Sequence, residues 1–304
     1  MTLAVLCPGQ GGQRAGMFDL IAAAPDGRAL IDKVGVLAGF DLLDPSLHLF
    51  DNAVAQPLIC AVQRMTWSLL GPRLAALGIE PCLFAGYSVG ELAAHGCAGA
   101  LSLEDTIALA HARATSMDAA SKPDDGLIAV RGLGWRAVEA LCAEHDAHVA
   151  IINGEDQVLV GGSGAALEAT IAAVTTRDGT AQRVPVTVAA HTPLLIDAVE
   201  PFRAHLTAAR WHSSVPVLAG IDGSLVRDAK TAIDVLARQV ATTIRWSDCM
   251  DSLRERGTTV CLELGPGHAL SRMMLERHRE IATRSVADFR SLDGVVDWVM
   301  RASI

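Results

Sequence analysis

A serine sits in the middle of the run Leu83-Phe84-Ala85-Gly86-Tyr87-Ser88-Val89-Gly90-Glu91-Leu92, with a glycine two residues away on each side. This G-x-S-x-G spacing suits a sharp strand-to-helix turn. The serine takes a strained backbone conformation there, and the missing Cβ atoms let neighbouring chain pass. A hydroxyl so placed sits at the positive end of a helix, where backbone N–H groups can meet a developing oxyanion. The chemistry such a setting allows is nucleophilic attack by the serine with a stabilised oxyanion. A purely local reading competes with it: Ser88-Val89-Gly90-Glu91 is also a capping box, S-x-x-E, which a helix can use with no chemistry at all.

Serine needs a base to attack at neutral pH, and the chain offers ten histidines. His145 and His148 flank a loop, and nothing with H-E-x-x-H or similar spacing suggests a metal. His191 falls where an inserted unit hands back to the main body, and clefts between domains are where active sites collect. His268, after Gly265-Pro266-Gly267, is the rival, because hydrolases of the α/β type place their base late in the chain. Residue types alone leave the choice open. Arg113 is a lone cation inside the alanine-rich run Ile107 to Ala119. It either snorkels to water or clamps a substrate carboxylate with its planar fork.

The elements that must position these groups alternate between strand and helix. Thr2 to Cys7 reads as a strand running into the glycine loop Pro8-Gly9-Gln10-Gly11-Gly12-Gln13. That loop is neither a dinucleotide fingerprint, since Arg14 takes the third glycine position, nor a P-loop, since no Gly-Lys-Ser/Thr follows. Helical patterning covers about Asp19 to Leu77 with a break at Gln56-Pro57, then Leu92 to Leu101 and Leu103 to Ala120. Past Lys122-Pro123-Asp124-Asp125-Gly126 the order becomes β-α-β-β-α-β. Strands are expected at Leu127–Val130, His148–Ile152, Gln157–Val160 and Ala181–Val186, with helices at Trp135–His145 and Ala165–Thr176. That order matches a ferredoxin-like unit inserted in a larger domain. Short strands at Val215–Ala219 and Thr259–Leu264 resume the alternation. The expected fold class is α/β, with a mostly parallel, hydrolase-like sheet flanked by helices and a small α+β insertion. The large domain spans 1–124 and 190–304, and the small one 125–189.

Composition excludes several classes. The net charge of −9 argues against nucleic acid. The C-terminal cations Arg272, Arg277, His278, Arg279 and Arg284 read as a solvated helix face rather than a basic patch. No apolar run reaches the ~18–20 residues that span a bilayer. The N-terminal run lacks a basic lead and reads as a strand, not a secretory signal. Seven scattered cysteines without C-x-x-C point to reduced thiols in a cytoplasm.

Taken together, the motifs resemble the malonyl-CoA:acyl carrier protein transacylase family over nearly the whole length. Pro8-Gly9-Gln10-Gly11-Gly12-Gln13 is similar to its opening P-G-Q-G-x-Q, and Gly86 to Glu91 to its G-H-S-x-G-E. Arg113 with Met117 resembles R-x-x-x-M, Asn153 to Gly162 the N-x-x-x-Q-V-x-x-x-G hairpin, and Gly265-Pro266-Gly267 the late G-P-G turn. The resemblance implies Ser88 as nucleophile, His191 as base, and the Gln10 and Val89 amides as oxyanion hole. It implies Arg113 as carboxylate clamp, with Gln10, Met117 and Asn153 beside the substrate. The family's histidine is oriented by a main-chain carbonyl, expected near Thr243-Ile244-Arg245-Trp246. Malonyl-CoA and an acyl carrier protein with a phosphopantetheine-type arm are the implied partners. No tightly bound cofactor or metal is implied. Tyr87 departs from the family histidine, and Val188-Ala189-Ala190 departs before His191. The run from Gly86 to Ala94 most resembles the epsilon subunit of biotin-independent malonate decarboxylase, which loads a carrier subunit bearing a dephospho-CoA-derived arm. The alternatives are a fatty-acid-synthesis transacylase, a thioesterase or hydrolase using Ser88 and His268, and a non-catalytic subunit of an assembly.

Overall fold

The first strand, β1 (Leu3–Cys7), has all five side chains buried and lies inside a six-stranded sheet. The computed structural model describes residues 2–302; Met1, Ser303 and Ile304, at the outer limits of the expected large domain, lie outside the described residues. Three helices follow, α1 (Asp19–Ala22), α2 (Gly27–Ala38) and α3 (Asn52–Ala75). The helical stretch expected from Asp19 to Leu77 is therefore broken at residues 23–26 and again at 39–51, where Gly39 adopts φ 77° and ends α2. The break expected at Gln56-Pro57 is absent, because α3 runs through Pro57. A proline inside a helix forfeits one hydrogen bond, about 3 kcal/mol. Here the buried run from Ala55 to Gln63, packed against the two helices described next, outweighs that loss.

The chain then enters β2 (Pro81–Gly86), turns at Tyr87-Ser88, and continues as α4 (Val89–Cys97) and α5 (Leu103–Ala120). Ser102 caps α5 by accepting from the Asp105 amide at 2.9 Å. A four-stranded antiparallel sheet follows, built from β3 (Gly126–Arg131), β4 (His148–Gly154), β5 (Gln157–Gly162) and β6 (Thr180–Arg183). Its order β4-β5-β3-β6, with α6 (Trp135–Glu144) and α7 (Gly164–Thr175) as crossovers, is the ferredoxin-like arrangement. Strand β6 stops short of the expected Val186, since Pro185 has no N–H to give a ladder. Alternation along β3 sends Ile128 into the core under α6 and α7, while Leu127 and Ala129 face a cavity shared with the large sheet.

The return passes through Val188-Ala189-Ala190-His191 into α8 (Val199–Ala208), β7 (Val217–Leu218), β8 (Leu225–Val226) and α9 (Ala229–Gln239). It ends with α10 (Trp246–Glu255), β9 (Val260–Glu263), α11 (Ala269–Arg277), β10 (Ala282–Ser285) and α12 (Leu292–Ala302). The large sheet runs β10-β9-β1-β2-β7-β8, parallel except for the β7–β8 pair. The fold is α/β, as expected. Of the C-terminal cations, Arg277 and His278 are tied to Asp251 and Arg284 to Asp288, while Arg272 lines the cavity described below. No helix among the described residues is long and apolar enough to cross a membrane.

Candidate active site

Ser88 has φ 56° and ψ −123°, a conformation that L residues adopt only when the surroundings impose it. Those surroundings are the two glycines. A Cβ on Gly86 would overlap the Glu91 amide, and one on Gly90 the Cys7 carbonyl oxygen. The turn is therefore pressed between α4 and the end of β1, and only the serine side chain is left pointing outward. The capping box does not form. The Ser88 side chain makes no cap bond to α4, and the Glu91 carboxylate instead accepts from the Gly220 amide at 2.8 Å and from Gln239 Nε2 at 2.6 Å.

The Ser88 hydroxyl lies 2.7 Å from His191 Nε2, and His191 Nδ1 lies 2.7 Å from the main-chain oxygen of Gln239. A carbonyl oxygen can only accept, so the ring proton sits on Nδ1 and Nε2 is free to take the serine proton. Burial, and secondarily the Arg113 cation, lower the His191 pKa to about 3. The ring is thus neutral at pH 7, the state a base needs. The orienting carbonyl is Gln239, not the Thr243–Trp246 segment expected from the sequence. Ile244 instead exchanges backbone hydrogen bonds with Ala150 and Ile152 on β4, which holds that segment against the small sheet.

Arg113 does not snorkel. It is 1% exposed, with Nη1 donating to Gln56 Oε1 at 2.8 Å and Nη2 to Gln239 Oε1 at 3.0 Å. Nη2 also lies 3.5 Å from the Ser88 hydroxyl. Burial lowers its pKa to about 10, which leaves it a cation at neutral pH. Both of its bonds go to neutral amide oxygens, so the positive charge next to Ser88 has no carboxylate bonded to it.

A cavity of about 620 Å³ opens between the two sheets and is lined by Gln10, Ser88, Arg113, Met117, Asn153 and His191. The Gln10 and Val89 amides have no hydrogen-bond partner among the described residues. Gln10 Nε2 donates to Asn52 Oδ1 at 3.0 Å, and the Met117 sulfur accepts from Gln56 at 3.5 Å. His268 lines the same cavity but is exposed, at the start of α11, and the Ser88 hydroxyl is bonded to His191 instead. Tyr87 packs edge-on against Trp246, with ring centroids 5.5 Å apart, and burial raises its phenol pKa while the Asn153 side chain opposes the rise. No group of three or more metal-ligating side chains occurs among the described residues.

Residues 5–291 match the acyl transferase domain family. The chain belongs to that family. The acyltransferase is 31% identical over 300 residues to the malonyl CoA-acyl carrier protein transacylase of Mycobacterium tuberculosis, covering 96% of this chain and 98% of that one. Among solved structures it resembles the acyl-carrier-protein S-malonyltransferase of Burkholderia pseudomallei, with a TM-score of 0.90 and 28% identity over 98% of this chain and 100% of that one. A malonyl-transacylase solved with its type II polyketide acyl-carrier protein gives a TM-score of 0.91 at 25% identity, covering 98% and 99% of the two chains.

Sequence reasoning missed Gln239, Gln56 and Asn52, the amides that hold the acyltransferase's arginine and glycine loop. Their one signal is polarity at positions that turn out to be buried, at 0%, 0% and 5% exposure.

Proposed function

We propose that this acyltransferase moves a malonyl group from malonyl-CoA to the pantetheine-type thiol of an acyl carrier protein, through a malonyl-Ser88 intermediate. The observation that carries this reading is the buried Arg113 guanidinium 3.5 Å from a serine hydroxyl that is itself bonded to a neutral histidine. A nucleophile beside a cation with no carboxylate bonded to it suits an acyl group with a free carboxylate at its far end.

In the first half-reaction His191 Nε2 takes the Ser88 proton as Oγ attacks the thioester carbonyl. The tetrahedral oxyanion is met by the Gln10 and Val89 amides, and Arg113 holds the malonyl carboxylate. Met117 and Asn153 complete the walls. Collapse expels the CoA thiolate, which recovers the proton from His191. The carrier thiol then repeats the steps in reverse. We take residues 1–124 and 190–304 as the acyltransferase domain and 125–189 as the small domain that closes over the cavity. Seven free cysteines support work in a reducing cytoplasm.

The acceptor has a finer reading. The sequence from Gly86 to Ala94, with Tyr87 before the serine, supports the carrier subunit of malonate decarboxylase. The relatives above support a fatty-acid or polyketide carrier at least as well. Acyl-enzyme formed with labelled malonyl-CoA, freed of nucleotide and offered each carrier, separates them. Chase by phosphopantetheine carriers alone would remove the decarboxylase reading. Release of label only to water would remove the transferase altogether. Intact mass must also show one malonyl adduct that is absent from Ser88→Ala.

A further inference from the structure

Glu91 is fully buried, three residues past Ser88, and the reaction described above does not use it. Its Oε2 accepts from Gln239 Nε2 at 2.6 Å and from the Gly220 amide at 2.8 Å, on the side of Gln239 away from Arg113. Gln239 meets the site in three ways: its side-chain Oε1 accepts from Arg113 Nη2, its main-chain oxygen accepts from His191 Nδ1, and its Nε2 also donates to the main-chain oxygen of Ser88 at 3.3 Å. An amide side chain has one donating and one accepting end, and nothing in its shape fixes which way round it sits. A carboxylate can only accept. Placed against one end of Gln239 it draws the NH₂ toward itself by the shorter of two bonds, 2.6 Å against 3.3 Å to the Ser88 carbonyl, and so turns the oxygen toward Arg113.

We propose that Glu91 is a positioning residue that sets the Gln239 amide and, through it, the Arg113 guanidinium for an acyl group carrying a carboxylate. The inference rests on the malonyl reading of the same site. Two observations support it besides the bond lengths. The Glu91 carboxyl is held at the edge of ionisation, with burial raising its pKa to about 7 against the pull of Gly220, Gln239 and Arg113. Such a group is costly to bury, and helix capping does not explain it, since the Ser88–Glu91 box is unformed. Residue 220 is also kept small at this point, because a Cβ there would come within 2.7 Å of Glu91 Oε2.

The test compares single-turnover acylation by malonyl-CoA and acetyl-CoA in wild type, Glu91→Gln, Gln239→Met and the double variant. Replacing Glu91 with an amide leaves the Gln239 NH₂ held only by the longer bond to the Ser88 carbonyl, so Gln239 can turn over and point its NH₂ at Arg113, donor facing donor. Malonyl acylation is expected to fall further than acetyl acylation by about 10-fold or more, the range of a charge-assisted hydrogen bond. Glu91 acts through Gln239, so the double variant should be no worse than Gln239→Met alone. Equal losses on both substrates, or losses that multiply in the double variant, would overturn the proposal.

If Glu91→Gln does not fold, Gly220→Ala carries the test. It displaces the carboxylate from outside and should lower the same malonyl-to-acetyl ratio, and a wild-type ratio in that variant overturns the proposal. A wild type that does not prefer malonyl would remove the functional reading instead. The Glu91 claim is then read without substrate, from the guanidinium NMR resonances of Arg113. They should shift in the neutral Gly220→Ala variant, and unshifted resonances overturn it.

Discussion

The main-chain oxygen of Gln239 stands 2.7 Å from His191 Nδ1, where a serine hydrolase of the triad type keeps a carboxylate. A carbonyl fixes the tautomer as an aspartate does, but it brings no negative charge to stabilise an imidazolium. The pair Ser88–His191 therefore sits beside a cation, Arg113, and without an anion bonded to the ring. On the proposed acyl-Ser88 route water would draw on the same base, so the selection of thiol over water would fall to the cavity rather than to the dyad.

His191→Ala should lose acylation by about two decades or more, the usual effect of removing a general base. His268→Ala should keep most activity, because the serine hydroxyl is bonded to His191 and His268 is exposed just before α11. Rapid-quench acylation of both variants decides it, and the reverse ranking moves the base to the C-terminal turn.

The pH dependence follows from the cause of the His191 shift. Burial comes first and Arg113 second, and together they lower the ring from its ordinary 6.5 to about 3. Acylation should therefore show no titration near pH 6.5 from this ring, which stays neutral down to about 3. In the unfolded chain the ring takes its proton as pH falls through 6.5, so its contribution to folding stability declines from there down to the folded value. Arg113→Ala removes one of the lowering causes and should move the ring's pKa upward. Imidazole NMR titration of wild type and variant measures this, and a wild-type midpoint near 6.5 contradicts it.

Two glycines near the site should respond in opposite ways to alanine. At Gly90 the new methyl group meets the carbonyls of Cys7 and Pro8, backbone that cannot yield without moving β1 and the glycine loop. Overpacking of this kind costs about 1–3 kcal/mol, and acylation should fall with it because Ser88 shifts. At Gly154 the methyl group meets nothing within 4 Å, so Gly154→Ala should be neutral or add a few tenths of a kcal/mol. Urea unfolding of both variants is the measurement, and comparable stabilities would discount the clamped turn.

The sharp turn at Ser88 was legible in its flanking glycines, whereas residue types left His191 and His268 open and did not decide whether Arg113 is buried, so the base and the arginine rested on the family resemblance. The ferredoxin-like insertion was legible because its strands and helices differ in period and are separated by turn residues. Gln239 was not. Its two roles depend on where α9 ends relative to a histidine 48 residues away, a relation that no spacing in the chain encodes. Glu91 misled because a capping box and a buried carboxylate have the same sequence. Ser88 at φ 56° makes no cap bond to α4, and Glu91 is buried against Gly220 and Gln239 instead. Pro57 misled in the opposite sense, since tertiary packing of α3 overrides a local helix breaker.

Arg113 gives the sharpest test of what is transferred. A malonyl group entering the cavity must shed water from its free carboxylate, and a desolvated carboxylate without a partner is costly. Removing one member of such a pair loses about 3–5 kcal/mol, or about two to four decades in rate at ~1.4 kcal/mol per decade. Acetyl has no carboxylate, so Arg113→Ala should cost it far less and should flatten or invert the malonyl-to-acetyl preference. The substitution also frees the oxygens of Gln56 and Gln239 that now accept from the guanidinium. Some loss on acetyl is therefore expected from reorganisation around His191, and the ratio rather than either rate is the diagnostic. Arg113→Lys should rescue malonyl only in part, because one ammonium cannot serve both amides and also offer two parallel hydrogen bonds. Acylation by both acyl-CoA substrates across wild type, Arg113→Ala and Arg113→Lys is the measurement. Equal losses on both would show that the buried cation serves the fold rather than the substrate.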